Sequence, residues 1–210
     1  MTMVDDPFGG VDVDEDPFAT SEDVKGGVFA PKPKPEDLNG RLIAMIPRSF
    51  KADHPKPEQW RKDANDTVQD LYTVDLYVID GGELRFWYDA KVEGSEDLVP
   101  TEQIIPAEDM PAAFEGVWIL QQALIGQLKR VDGTARPILM GTMRRGPQAK
   151  EARAGKTFDD IRDAYDAWVA RGKPDNKGPK FSWQVDVNVN ADQRRQAQQW
   201  WATAKDSIKL

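Results

Sequence analysis

The chain has no cysteine and a single histidine, His54, in 210 residues. Disulfides, thiolate metal sites and a cysteine nucleophile are therefore excluded, and one imidazole cannot build a multi-histidine metal site. His54 sits in a stretch rich in proline and lysine, which reads as an exposed loop. No run approaches the ~18 consecutive apolar residues of a membrane helix. The acidic N-terminus lacks the apolar segment of a secretory signal, so a cytoplasmic location without a membrane partner is expected. There is no Gly-x-x-x-x-Gly-Lys-Ser/Thr loop, no Gly-x-Gly-x-x-Gly after a strand and no Gly-x-Ser-x-Gly elbow. Acidic pairs such as Glu108-Asp109 and Asp159-Asp160 fall at helix starts or loops, where capping accounts for them. Asp12, Asp14 and Asp16 begin like a calcium loop, but the required Gly and Glu do not follow. The sequence thus points to no enzyme, no catalytic residue, no metal and no cofactor.

What is present is an acidic phrase written twice: Asp5-Asp6-Pro7-Phe8 and Asp14-Glu15-Asp16-Pro17-Phe18. Residues 1–30 hold eight acids against Lys25, a net of −7, whereas the whole chain is −8. Residues 31–210 are close to neutral, with 27 bases and 28 acids. The acidity belongs to the N-terminal segment and does not argue against a polyanionic partner for the remainder. Residues 1–36, ending in Pro31-Lys32-Pro33-Lys34-Pro35, are too poor in apolar groups to offset chain entropy. They read as a disordered arm with an extended stem, and the fold is expected over 37–210.

Within that region, 40–47 reads as a strand closed by Pro47, and 51–66 as a loop around Trp60. Residues 67–80 alternate and end at Asp80-Gly81-Gly82, and a strand 83–90 follows at once, which predicts a hairpin between the two. Residues 91–110 are acidic and turn-rich. The apolar run 114–128 reads as a strand entering a helix, and 137–143 as a further strand. Residues 144–156 read as a basic loop. Thr157 caps a helix that Gly172 stops, an insertion near 157–171. Residues 181–189 alternate like a strand, and Asn190 or Asp192 caps a final helix. The expected class is mainly β with appended helices (α+β): a small antiparallel barrel or curled sheet with a C-terminal helix.

Bases alternate with aromatics on these β segments. Arg41 and Arg48 flank the first strand, and Lys51, Lys56, Arg61 and Lys62 surround Trp60. Arg85 precedes Phe86-Trp87-Tyr88, where strand alternation turns Trp87 away from its two neighbours. Arg144, Arg145 and Lys150 make the most basic stretch, and Trp183 lies on the closing strand. Exposed aromatics beside cations on a curved sheet form a platform for single-stranded bases, with cations tracking the phosphates. The candidate nucleic-acid-binding residues are therefore Arg48, Trp60, Arg85, Trp87, Arg144, Arg145, Lys150 and Trp183. The opposing reading is that the aromatics fill a core while Arg and Lys solvate loops.

The order of short motifs resembles a group of bacteriophage proteins of actinobacterial hosts that are taken to bind single-stranded DNA through an oligonucleotide-binding (OB) barrel. The matching pieces are Asp6-Pro7-Phe8 and Asp16-Pro17-Phe18, Leu38-Asn39-Gly40-Arg41-Leu42 running to Pro47, and Thr73–Gly81. Further along come Ala123–Lys129, Ile138–Met143, and Phe181–Val185 leading to a helix from Asp192. Thr142 stands where that pattern has Arg. The resemblance implies an OB-like fold and non-specific single-stranded-DNA binding in phage replication or recombination, within the host cytoplasm. The acidic phrase also resembles the tip by which bacterial single-stranded-DNA-binding proteins recruit replication enzymes. That likeness makes Asp6, Pro7, Phe8, Asp16, Pro17 and Phe18 candidate partner-binding residues, although here both copies are internal. A solubilising tail that competes with DNA is the alternative. A phage structural or host-interaction protein without nucleic acid is the second functional expectation, and a homo-oligomer is compatible with either.

Overall fold

The computed structural model describes residues 31–56, 58, 61, 63–91, 98–130, 133–173 and 178–208. Lys32–Leu210 form one compact unit, so the fold begins before residue 37. Pro33 and Leu38 are buried, and Leu38 joins the core. The Asp-Pro-Phe residues (Asp6, Pro7, Phe8, Asp16, Pro17, Phe18) and Trp60 lie outside the described residues.

Among the described residues, seven strands and four α-helices follow in chain order: β1 (Leu42–Pro55), β2 (Val68–Val78), β3 (Leu84–Lys91), β4 (Leu98–Ile105), β5 (Phe114–Ile119), α1 (Gln122–Leu128), β6 (Leu139–Gly146), α2 (Ala149–Arg153), α3 (Phe158–Ala170), β7 (Ser182–Asp186) and α4 (Ala191–Ala204). The class is α+β and mainly antiparallel. Five strands pair in the order β5-β2-β1-β6-β7, and β3-β4 form a separate two-stranded sheet. With that hairpin set aside, β1, β2 and β5 form a meander, α1 follows the third strand, β6 returns to the start of β1, and β7 pairs with β6. This course is OB-like.

The sheet does not close into the expected barrel, because β5 and β7 share no ladder. Gln127 of α1 occupies the edge of β7 instead. Its Nε2 donates to the Val185 carbonyl and its Oε1 accepts from the Val185 N–H, each at 2.8 Å. One side-chain amide thus satisfies a backbone pair that a neighbouring strand would otherwise have to meet.

The first strand is longer than its proline suggested. Pro47 sits inside β1, opposite Val74, and the register shifts immediately after it. The β6 partner of β1 extends only to Met45, so one edge is open at Pro47 and its missing N–H is tolerated. The continuation carries His54 into the structure, where it is 1% exposed, and not into a solvated loop. The expected β2–β3 hairpin across Asp80-Gly81-Gly82 does not form either. β2 is paired on both edges by β1 and β5, so β3 turns away and pairs with β4, inside the stretch read as turns. Arg41 fixes that exit, with Nε 3.0 Å from the Asp80 carboxylate and further donations to the Gly81 and Glu83 carbonyls. The basic stretch 144–156 holds the end of β6 and α2. Thr157 and Asn190 cap α3 and α4, each completing a reciprocal capping box.

The main core lies on the inner face of the sheet. Met45, Tyr72, Val74, Val117 and Met143 meet Leu84 and Phe86 of the hairpin and Leu124 and Leu128 of α1 there. The other face of β1 and β6 carries α4, with Gln193 Nε2 3.0 Å from the Thr142 hydroxyl and Trp200 5.1 Å from Tyr77. Among the described residues no helix is long and apolar enough to cross a membrane.

Gly141 is required by a close approach between strands. A Cβ there would stand 2.3 Å from the Asp186 carbonyl oxygen and 2.7 Å from Val185 Cγ1. Gly141→Ala is expected to destabilise the fold by about 1–3 kcal/mol, as overpacking of a tight site does. Urea denaturation measures this, and an unchanged midpoint would contradict the packing described.

Candidate nucleic-acid interface

In an OB fold, oligonucleotides bind on the face of the second and third strands and on the loops joining strands 1–2 and 4–5. The corresponding elements are β2 and β5, the 56–67 connection, and the 147–181 connection that carries α2 and α3. Residues directly opposite in an antiparallel sheet share a face. Ser49, Thr73 and Trp118 are therefore side by side across β1, β2 and β5, on the side opposite Phe50 and the buried Tyr72 and Ile119. Trp118 is 36% exposed, and its ring centroid lies 5.8 Å from that of His54, the two planes crossing at 74°. Lys51, opposite Leu71, extends the same face and is exposed.

Arg48 borders this row. As the extra residue at the register shift after Pro47, it reaches Asp75, with Nε 2.5 Å from Oδ2. Asp75 is nearly buried and also accepts the Gly116 N–H at 3.2 Å. Gly116 takes φ +64, and its carbonyl accepts from Lys32 Nζ at 3.0 Å. The bulge in β5 thus needs glycine for its backbone and binds a cation of the stem. Burial lowers the Lys32 pKa, against the opposing pull of Asp75 and Glu115. Burial raises the Tyr77 hydroxyl in the same network, with Asp75 adding to the effect.

The other expected residues are placed elsewhere. Arg85 and Trp87 stand on the outer face of the hairpin, with Trp87 directed away from Phe86 and Tyr88 as alternation requires. Arg85 is shared between Glu83 and Glu102, each at 3.2 Å. Arg144 links three elements: Nη1 is 2.7 Å from Asp186 of β7 and Nη2 is 2.6 Å from Asp159 of α3. That arginine holds the Asp159 carboxyl below its ordinary pKa. Arg145 lies among rings, its guanidinium carbon 4.0 Å from the Tyr165 centroid, 5.0 Å from Trp183 and 5.5 Å from Phe181. Its Nε is buried without a hydrogen-bond partner, so ring contacts supply its stabilisation. Trp183 is half-buried against the core and Phe181. Lys150, on α2, is exposed.

The eight expected residues are therefore not one site. Arg48 adjoins the open OB-like face, Arg85 and Trp87 belong to the hairpin, and Arg144, Arg145 and Trp183 fasten α3 to β6 and β7. The residues missing from the expectation are Trp118, Thr73 and Lys51. Their signal was the alternation of Val117 and Ile119, which turns Trp118 outward once 114–119 is read as strand throughout. Lys56, in the 56–67 connection, is held by Asp66 at 2.8 Å. Among the described residues, no cluster of His, Asp and Glu could hold a metal ion. Comparison with protein-family models, curated proteins and solved structures gave no match.

His54 connects this face to pH. Burial, assisted by nearby Lys51, lowers its pKa. The unfolded chain takes up a proton near pH 6.5 and the folded chain does so only at lower pH. The His54 contribution to stability is therefore full above about pH 6.5 and declines as the pH falls below it. The chain has one histidine, so its imidazole Cε1–H resonance reports the titration without overlap from another histidine. A midpoint at or above 6.5 in the folded protein would contradict the burial.

Proposed function

We propose that the chain binds single-stranded DNA without sequence preference, in phage replication or recombination. The observation that carries this reading is the open row Ser49–Thr73–Trp118 on the OB-like face, with Lys51 and Arg48 beside it. An indole accepts any base on its π-face, and flanking cations follow the phosphates, so sequence preference is weak. Thr73 and Ser49 are small enough to let a base approach Trp118. The reading assigns no catalytic residue, no cofactor and a cytoplasmic site of action. A phage structural or host-interaction protein is the second reading. It is favoured by the exposed apolar face of the β3–β4 hairpin, which a phosphate chain would not cover.

Fluorescence anisotropy of labelled oligo-dT at two salt concentrations tests the first reading. Affinity is expected to fall steeply with salt, by a slope of about 0.7 in log–log form per phosphate neutralised. Trp118→Ala is expected to weaken binding roughly 5- to 150-fold, the equivalent of one stacked base. Lys51→Glu is expected to weaken binding and flatten the salt slope. Wild-type protein that leaves the oligonucleotide unshifted at low salt would overturn the proposal.

The N-terminal arm bears on the same measurement. A segment of net charge −7 opposes the approach of any polyanion. Removal of residues 1–30 is expected to raise oligo-dT affinity at low salt, with the difference vanishing at high salt. Equal affinity of the full and shortened chains at low salt would remove the idea that the arm competes with DNA.

A further inference from the structure

Two surfaces outside the nucleic-acid face complement each other. The first is the outer face of the hairpin. Register places Trp87, Leu98, Pro100 and Ile104 on one side of β3-β4, with Trp87 51%, Leu98 55% and Ile104 44% exposed. Glu102 lies directly across from Trp87, and Asp89 follows two residues along the strand on the same face. With Glu83 they make three acids against Arg85 and Lys91, and Arg85 pairs with Glu83 and Glu102, so the rim keeps a small negative excess, to which Asp89 contributes.

The second surface is an open cavity of about 410 Å3 between α4 and the strands β1 and β6. Leu42, Met140, Val189, Ala197 and Trp201 make it apolar, and Arg194 contributes a cation to its lining. That volume admits an indole side chain. Apolar pockets with one charged group are the usual form of a specific recognition site.

We infer that two copies of the chain associate by seating Trp87 of one in the α4 cavity of the other. The indole contributes apolar area and a ring contact with Trp201. Arg194 meets Asp89, on the same face as Trp87, which fixes the orientation of the contact. A buried Trp with a neighbouring Arg is the composition of an interface hot spot, ringed here by opposite charges. The contact uses two different patches of one chain, and neither includes Ser49, Thr73 or Trp118, so association leaves the proposed nucleic-acid face open. The inference does not depend on DNA binding.

Sedimentation velocity of the full chain, without DNA and across micromolar to several hundred micromolar protein, tests it. Wild-type protein is expected to gain mass with concentration, more strongly at low salt than at high. Trp87→Glu and Arg194→Glu are each expected to remain monomeric. Both positions are exposed, so unchanged circular dichroism and urea midpoints establish that the variants fold. A mixture of the two variants retains one intact Trp87 and one intact cavity, and is expected to recover a dimer. A wild-type chain that stays monomeric throughout would overturn the inference. So would variants that associate like wild type, or a mixture that stays monomeric. A Trp87→Glu chain with unchanged association but weaker oligo-dT binding would assign the hairpin to nucleic acid and likewise overturn it.

Discussion

Five consecutive residues of β1, Leu42 to Ile46, are buried, and this burial on both faces of one strand sets the plan of the molecule. A strand with alternating side chains needs a cover on each side when all its residues are apolar. Ile43 and Met45 turn to the inner core with the hairpin and α1. Leu42 turns to the opposite side, where α4 lies. The helix is short of the whole sheet, and the strand outruns its β6 partner after Met45. Beyond Ile46 the same outer face carries Ser49, Thr73, Lys51 and Trp118 beside a buried Leu71.

The unclosed sheet follows from the same economy. Gln127 completes the backbone pairing of Val185, so β7 is satisfied without β5. The 147–181 connection is then fastened by two arginines with different physics. Arg144 joins β7 and α3 through two carboxylates, while Arg145 is held between aromatic rings. Both are structural ties in this geometry, and their charges are largely answered within the chain.

Much of the fold was legible because burial leaves a period in the sequence. Alternation marked β2 and β7, the run 137–143 marked β6, and the Thr157 and Asn190 caps marked α3 and α4. The failures have specific causes. Pro47 reads as a strand end, yet an open edge tolerates it. Asp80-Gly81-Gly82 reads as a hairpin turn, yet β2 has no free edge to offer β3. The site was less legible because local sequence does not reveal what partners a cation finds across the fold. Arg144 and Arg145 look alike on paper and differ in every contact. Trp118 was hidden within an apolar run whose strand and helix portions have different periods, and His54 within a stretch polar enough to pass for a loop.

The central claim is that the open part of the outer face, and not the hairpin or the α3 attachment, receives a nucleic-acid strand. Ultraviolet cross-linking of full-length protein to oligo-dT, followed by mass-spectrometric mapping, addresses it most directly. The expected result is a cross-link in the peptide containing Trp118. Cross-links confined to peptides of Trp87 or Trp183 would contradict the claim.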